Sequence, residues 1–277
     1  MILSPRYDGP AILSADGHSN DQLQPLTRQR RRMAAMLAEL TDEQWMTASR
    51  CDGWTARDVV AHLVGVNTFW YSSVVAGLAG TPTRVLAGFD PAATPPVMVD
   101  WMSALTPQEV LDQFASTSEA LLGVVAELTD EGWSAVAESP PGHVPIRLLA
   151  QHALWDSWVH ERDVAIPLGI DTVVEPDELK SCLRYAAAVS PALGIGLGHR
   201  CAGTFAVDAT DPDIRFVLDV GASISVREEY AAATVPCLRG DAVTLIEALS
   251  LRAPLPPSTP IEWSQLLGGL ATAFDAV

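Results

Sequence analysis

Positive charge and clustered cysteine are scarce in this chain. Lysine and arginine together number 17 against 34 aspartates and glutamates, a formal net charge of −17. So acidic a surface repels phosphate backbones and anionic headgroups, and nucleic acid and membrane surfaces are not expected partners. No apolar run reaches the roughly 18 residues that span a bilayer. The opening MILSPRYDGPAILSADGHSND lacks a basic segment followed by an unbroken apolar stretch, so a cytoplasmic location is expected. Cys51, Cys182, Cys201 and Cys237 are scattered without a CxxC pair, which argues against a disulfide scaffold and for reduced, mostly buried thiols. What remains is an ordinary globular composition, 48% hydrophobic and 18% charged, and 277 residues are enough for two domains.

The first 170 residues have helical periodicity. Residues 21–40 place Leu26, Met33, Met36, Leu37 and Leu40 close to helical spacing, and their basic run RQRRR is expected on a solvated face. Thr55 and Asp58 form a capping-box pattern, so a second helix should run from Thr55 to about Leu78. The Gly-, Pro- and Ala-rich stretch 79–105 is expected as a long connection. A third helix fits PQEVLDQFASTSEALLGVVAELTDE, and a fourth begins at Pro145 and ends before Pro167 and Gly169. This pattern predicts an N-terminal four-helix bundle over 1–170. A faint duplication supports it: LTDEQW at 40–45 recurs as LTDEGW at 128–133. Arg57 to His62 is likewise matched by Arg147 to His152, with offsets of 88 and 90 residues.

Over 171–277 the pattern becomes a small α+β domain. A helix at PDELKSCLRYAAAV is followed by GTFAVDA, DIRFVLDV, ASISVRE and ATVPCLR, in which apolar and polar residues alternate. These are expected as strands of an antiparallel sheet, closed by helices at DAVTLIEALS and WSQLLGGLATAF.

The chemistry concentrates in HALWDSWVHERD, residues 152–163. On a helix, His152, Asp156, His160 and Asp163 fall on one stripe. A rise of about 12 Å separates residues eight apart, so one ion can take His152 with Asp156 or Asp156 with His160, not all three. His62, set among Val59, Val60 and Leu63, could supply a third ligand from a facing helix. Two imidazoles and a carboxylate leave a fourth position open, as in a catalytic zinc site, whereas a fourth ligand such as Cys51 would close it. Glu161, Arg162 and Asp163 are expected as helix-end charge, and Trp54, Trp70, Trp155 and Trp158 as core aromatics or pocket walls.

GWTARDVVAHL followed by HALWDSWVHERDVAIPLG resembles the DinB-like metal-binding bundle in the branch of the actinobacterial mycothiol-dependent maleylpyruvate isomerases, over about residues 25–170. The C-terminal unit is similar to that family's sterol-carrier-like domain. The resemblance implies Zn2+ or another divalent metal on His62, Asp156 and His160, with Asp156 where the isomerase usually carries glutamate. It implies mycothiol as thiol cosubstrate in the open position, and isomerisation or S-transfer on a small electrophile. It also implies an arginine for the substrate anion, matched to Arg252 with Arg239 as rival. A non-catalytic metal-containing binding module and a hydrolase using zinc-bound water are the other readings.

Overall fold

Threonines start several of the helices. Thr41, Thr55 and Thr106 each accept a hydrogen bond from the backbone amide three residues on, while the side chain of that residue accepts one from the threonine's own amide, and Thr129 caps in the simpler way. In the computed structural model, which describes residues 2–18, 20–229 and 232–274, the N-terminal portion holds β1 (Leu13–Ala15), α1 (Leu23–Ala38), α2 (Asp42–Trp45) and α3 (Ala56–Leu78). It continues with α4 (Thr94–Asp100), α5 (Pro107–Ala126), α6 (Asp130–Ser134), β2 (Val136–Ser139), β3 (Gly142–Pro145) and α7 (Ile146–Ala165). Then follow α8 (Pro176–Gly196), β4 (Gly203–Thr210), β5 (Ile214–Val220), β6 (Ile224–Arg227), β7 (Cys237–Asp241), α9 (Ala242–Leu249), α10 (Ile261–Leu266) and α11 (Gly268–Ala273).

Helices α1 and α3 each pack against both α5 and α7, which places the long helices around shared cores. One core joins Met33, Val59, Leu63, Phe114 and Val164; the other runs from Leu26 and Trp70 through α7 and α8 into the sheet. By length and composition α3 could cross a membrane, but half of its most apolar stretch is buried inside the fold. Its Gly77 has a packing reason, because a Cβ there would collide with the carbonyl of Val136 on β2. The duplication corresponds to structure: α2 and α6 are short threonine-capped helices with buried Trp45 and Trp133, each leading into a long helix. Arg57 and Arg147 both donate to backbone carbonyls of crossing segments, at Leu105 and Ala15 respectively.

Four expectations need correction. The sheet is mixed, in the order β1-β6-β5-β4-β7. Only β4–β5 and β5–β6 are antiparallel, whereas β1 runs parallel to β6 and β7 parallel to β4. Alternation reports which face is buried, not strand direction; β1 arrives from the N-terminus and β7 after the chain crosses to the far side of β4. The 79–105 connection contains α4, and the hairpin β2–β3 precedes α7, so Pro145 is the residue before the helix and not its first turn. The RQRRR run is solvated at Arg31, whose side chain is 64% exposed, but not at Gln29, Arg30 and Arg32. Arg30 is buried, and Arg32 bridges Glu161 of α7 and Glu178 of α8 at 2.9 and 2.8 Å. Each of these arginines has found a carboxylate or carbonyl on a neighbouring helix.

A buried carboxylate organises the connection. Glu138 on β2 is fully buried and accepts hydrogen bonds from Tyr7 Oη (2.6 Å), Thr83 Oγ1 (2.6 Å) and the amides of Val85 (2.8 Å) and Leu86 (2.7 Å).

Candidate metal centre

His62 lies in the second turn of α3, whose start is fixed by the Thr55–Asp58 box. Asp156 and His160 are one turn apart on α7, with Oδ1 and Nε2 3.6 Å from each other. The α3–α7 packing brings the three together: one ligand atom from each lies within 4.8 Å of the others, and the two imidazole rings stand edge to face at 5.2 Å. The indole of Trp54 covers His62 at 5.4 Å.

The donor set fits a divalent cation on two grounds. His62 Nδ1 and Asp156 Oδ2 are buried and have no hydrogen-bond partner among the described residues, which is costly in a closed core. Two imidazoles and one carboxylate are also the donors that zinc and its neighbours accept. Burial, and then the charge of His160, lower the His62 pKa to about 4, so its ring is neutral and offers a lone pair. Burial opposes protonation of His160, yet its hydrogen bonds with Asp163 and Cys51 and the charge of Asp156 outweigh this and push it up to about 10. Burial likewise opposes ionisation of Asp156, but the two histidines of the group, His152 and Arg30 hold it below the ordinary carboxylate range.

His152 stands apart. It is buried among Trp70, Trp155 and Tyr185, with Nδ1 2.6 Å from Tyr185 Oη. Its place in the repeat corresponds to that of His62, but its ring serves the aromatic core.

Asp163 overturns the helix-end expectation, as do its neighbours Glu161 and Arg162, all three of which are buried. The last turn of α7 is covered by α1, α8 and the segment after α9, so these charges are paired inside the protein instead of solvated. Asp163 Oδ2 lies 3.0 Å from His160 Nδ1 and accepts from Arg252 Nη2 at 2.7 Å and Cys51 Sγ at 3.2 Å. Its Oδ1 accepts from Arg252 Nε at 2.9 Å and Arg50 Nε at 3.1 Å. Burial would raise its pKa, but His160 and Arg252 hold it far below the usual range.

Arg252 therefore sits at the edge of this centre, aimed there by the end of α9. Leu251 adopts φ 62°, a left-handed conformation rare for leucine, and the Arg252 amide turns back to the Glu247 carbonyl at 2.8 Å. The rival Arg239 lies on β7 with a side chain 65% exposed and an ion pair to Asp208 at 3.7 Å. Cys51 groups with His160 and Asp163, not with His62 and Asp156. Asp163 had a visible signal, since it lies three residues beyond His160 on the same stripe; Arg30 and Arg50 had none beyond their charge.

Comparison with known proteins bears on this arrangement. Residues 26–165 match the family model of the mycothiol maleylpyruvate isomerase N-terminal domain. No curated protein matches the chain. Among solved structures, the mycothiol-dependent maleylpyruvate isomerase and a histidine-to-alanine mutant of it each align with a TM-score of 0.61 at 14% identity, covering 86% of this chain and 91% of the other. At that identity the structural likeness speaks for the fold, while the family model spans half of the chain and includes both α3 and α7. The chain belongs to the mycothiol maleylpyruvate isomerase N-terminal domain family.

Proposed function

We propose that this chain is a divalent-metal enzyme, with zinc the ion best suited to His62, Asp156 and His160, that uses mycothiol for isomerisation or S-transfer on a small electrophile. The observation that carries this reading is the three-residue donor set, closed to within 4.8 Å and left with unpartnered buried atoms. A divalent ion there lowers the pKa of a thiol in its open position and so supplies a nucleophile at neutral pH. Neutral His62 and ionised Asp156 already have the protonation states that ligation needs, whereas His160, pushed up to about 10, would give up its Nε2 proton to the ion. The grouping of Cys51 with Asp163 supports an open fourth position over a closed structural site. Beyond its bonds to Asp163, Cys51 and the Ser250 carbonyl, Arg252 keeps donor capacity at Nη1, and with a side chain 24% exposed it can meet a substrate carboxylate. Trp54 walls the His62 side against water.

The same reading takes the helical portion, residues 1–170, as a DinB-like four-helix bundle and 171–277 as a sterol-carrier-like α+β domain, with residues 13–15 crossing over to complete the sheet. It also takes the setting to be the reducing cytoplasm, in keeping with four free cysteines.

Elemental analysis and melting curves with and without mycothiol test the proposal. Purified protein should hold close to one divalent ion per chain, His62→Ala should lose it, and mycothiol should raise the melting midpoint of the wild type only. A wild type without stoichiometric metal refutes the proposal. Turnover of an ester or amide without added thiol would favour the hydrolase.

A further inference from the structure

Asp163 is fully buried, an expensive place for a charge, and it is surrounded by groups from three parts of the chain. His160 belongs to its own helix, Arg50 and Cys51 to the loop before α3, and Arg252 to the segment after α9. An imidazole ligand has two nitrogens, and which of them faces an ion depends on what holds the other. Here Nδ1 of His160 is held at 3.0 Å by Asp163, while Nε2 is the atom 3.6 Å from Asp156 Oδ1. The same carboxylate takes Arg252 in a two-point grip at 2.9 and 2.7 Å.

We infer that Asp163 is a positioning residue of the reaction site: it fixes a proton on His160 Nδ1 so that Nε2 is the ligand atom, and it sets Arg252 beside the same imidazole. The inference rests on the metal site proposed above. A purely structural hub of ion pairs would behave differently, because removing any one of its pairs would then disturb the site alike.

The test is metal affinity, measured on folded full-length protein by competition with a chromophoric zinc chelator. Asp163→Asn, which keeps the size and removes the charge, should weaken zinc binding by about 10- to 100-fold, and Asp163→Glu should recover part of this loss. Arg50→Ala, which removes an ion pair to Asp163 but leaves its contact with His160, should stay within about twofold of the wild type. Equal affinity of Asp163→Asn and wild type, or equal losses in Asp163→Asn and Arg50→Ala, would overturn the inference. If Asp163→Asn does not fold, nuclear magnetic resonance of cadmium-113-loaded wild type decides: coupling of the metal to His160 Nε2 is expected, and coupling to Nδ1 overturns it. A wild type that takes up neither metal removes the proposed function and this inference together, whereas metal uptake unaffected by Asp163→Asn removes this inference alone.

Discussion

Glu138→Gln should be among the most damaging single-atom changes in this protein. In the wild type, Oε1 accepts from Tyr7 Oη and the Leu86 amide, and Oε2 from Thr83 Oγ1 and the Val85 amide. A glutamine keeps one acceptor oxygen and turns the other into an NH2 group that faces two donors. Two hydrogen bonds to a charged group are lost at roughly 1.5 to 3 kcal/mol each, so the cost should be about 3 to 6 kcal/mol. A typical domain has about 5 to 15 kcal/mol in total, which makes this a large fraction. The effect should also be local. The connection between α3 and α5 is pinned near its start by Glu138 and near its end by Arg57, which donates to the carbonyls of Met102 and Leu105. Urea denaturation should show a lower midpoint, and limited proteolysis should cut first within 79–105. A loss below about 1 kcal/mol, with unchanged cleavage, would refute the view that this carboxylate is the latch of the connection.

The other predictions concern charge, protonation and backbone. Arg32→Ala strips the shared partner from buried Glu161 and Glu178 and should cost about 3 to 5 kcal/mol by thermal denaturation; a loss under about 1 kcal/mol would mean that Gln29 and Arg28 suffice. Burial lowers the His152 pKa to about 4, so as pH falls from about 6.5 the unfolded chain takes up a proton that the folded chain refuses, and stability is lost in that window. The stability gap between wild type and His152→Gln should therefore shrink by about 2 kcal/mol from about pH 7.5 to about pH 5, and a constant gap would contradict the assigned burial. Leu251→Gly relieves a left-handed leucine but gives up a side chain that is only 39% exposed, so the relief of about 1 kcal/mol should be at least balanced and the melting midpoint should not fall; a fall would show that the leucine side chain matters more than its backbone.

The helical half was readable because its signals are local. Thr55 with Asp58 marked a helix start, and apolar spacing found the three other long helices within a few residues. The stripe on α7 was readable as four ionisable positions, but not as two different environments. That division depends on what faces each turn: α3 and Trp54 on the side of Asp156, Cys51 and Arg252 on the side of Asp163. Partners far away in the chain leave no periodic trace, which is also why Arg30 and Arg32 read as solvated and the sheet read as antiparallel. Glu138 was silent for the same reason, being one glutamate in a short hairpin whose donors come from Tyr7 and from residues 83–86.

The strand Leu13–Ala15 has a consequence for how the molecule is made. Its neighbour in the sheet is β6, and the bond from Ser14 Oγ to the Ile224 carbonyl spans 210 residues. During synthesis from the N-terminus, Ile12 and Leu13, both about 1% exposed in the finished protein, therefore wait without their cover until most of the chain has emerged. Closure of that contact is a late, entropically expensive event, and it makes a strand that precedes all the helices among the last to be secured. Expressing residues 1–170 alone would leave this apolar strand permanently unpaired, an open edge that invites association with other chains.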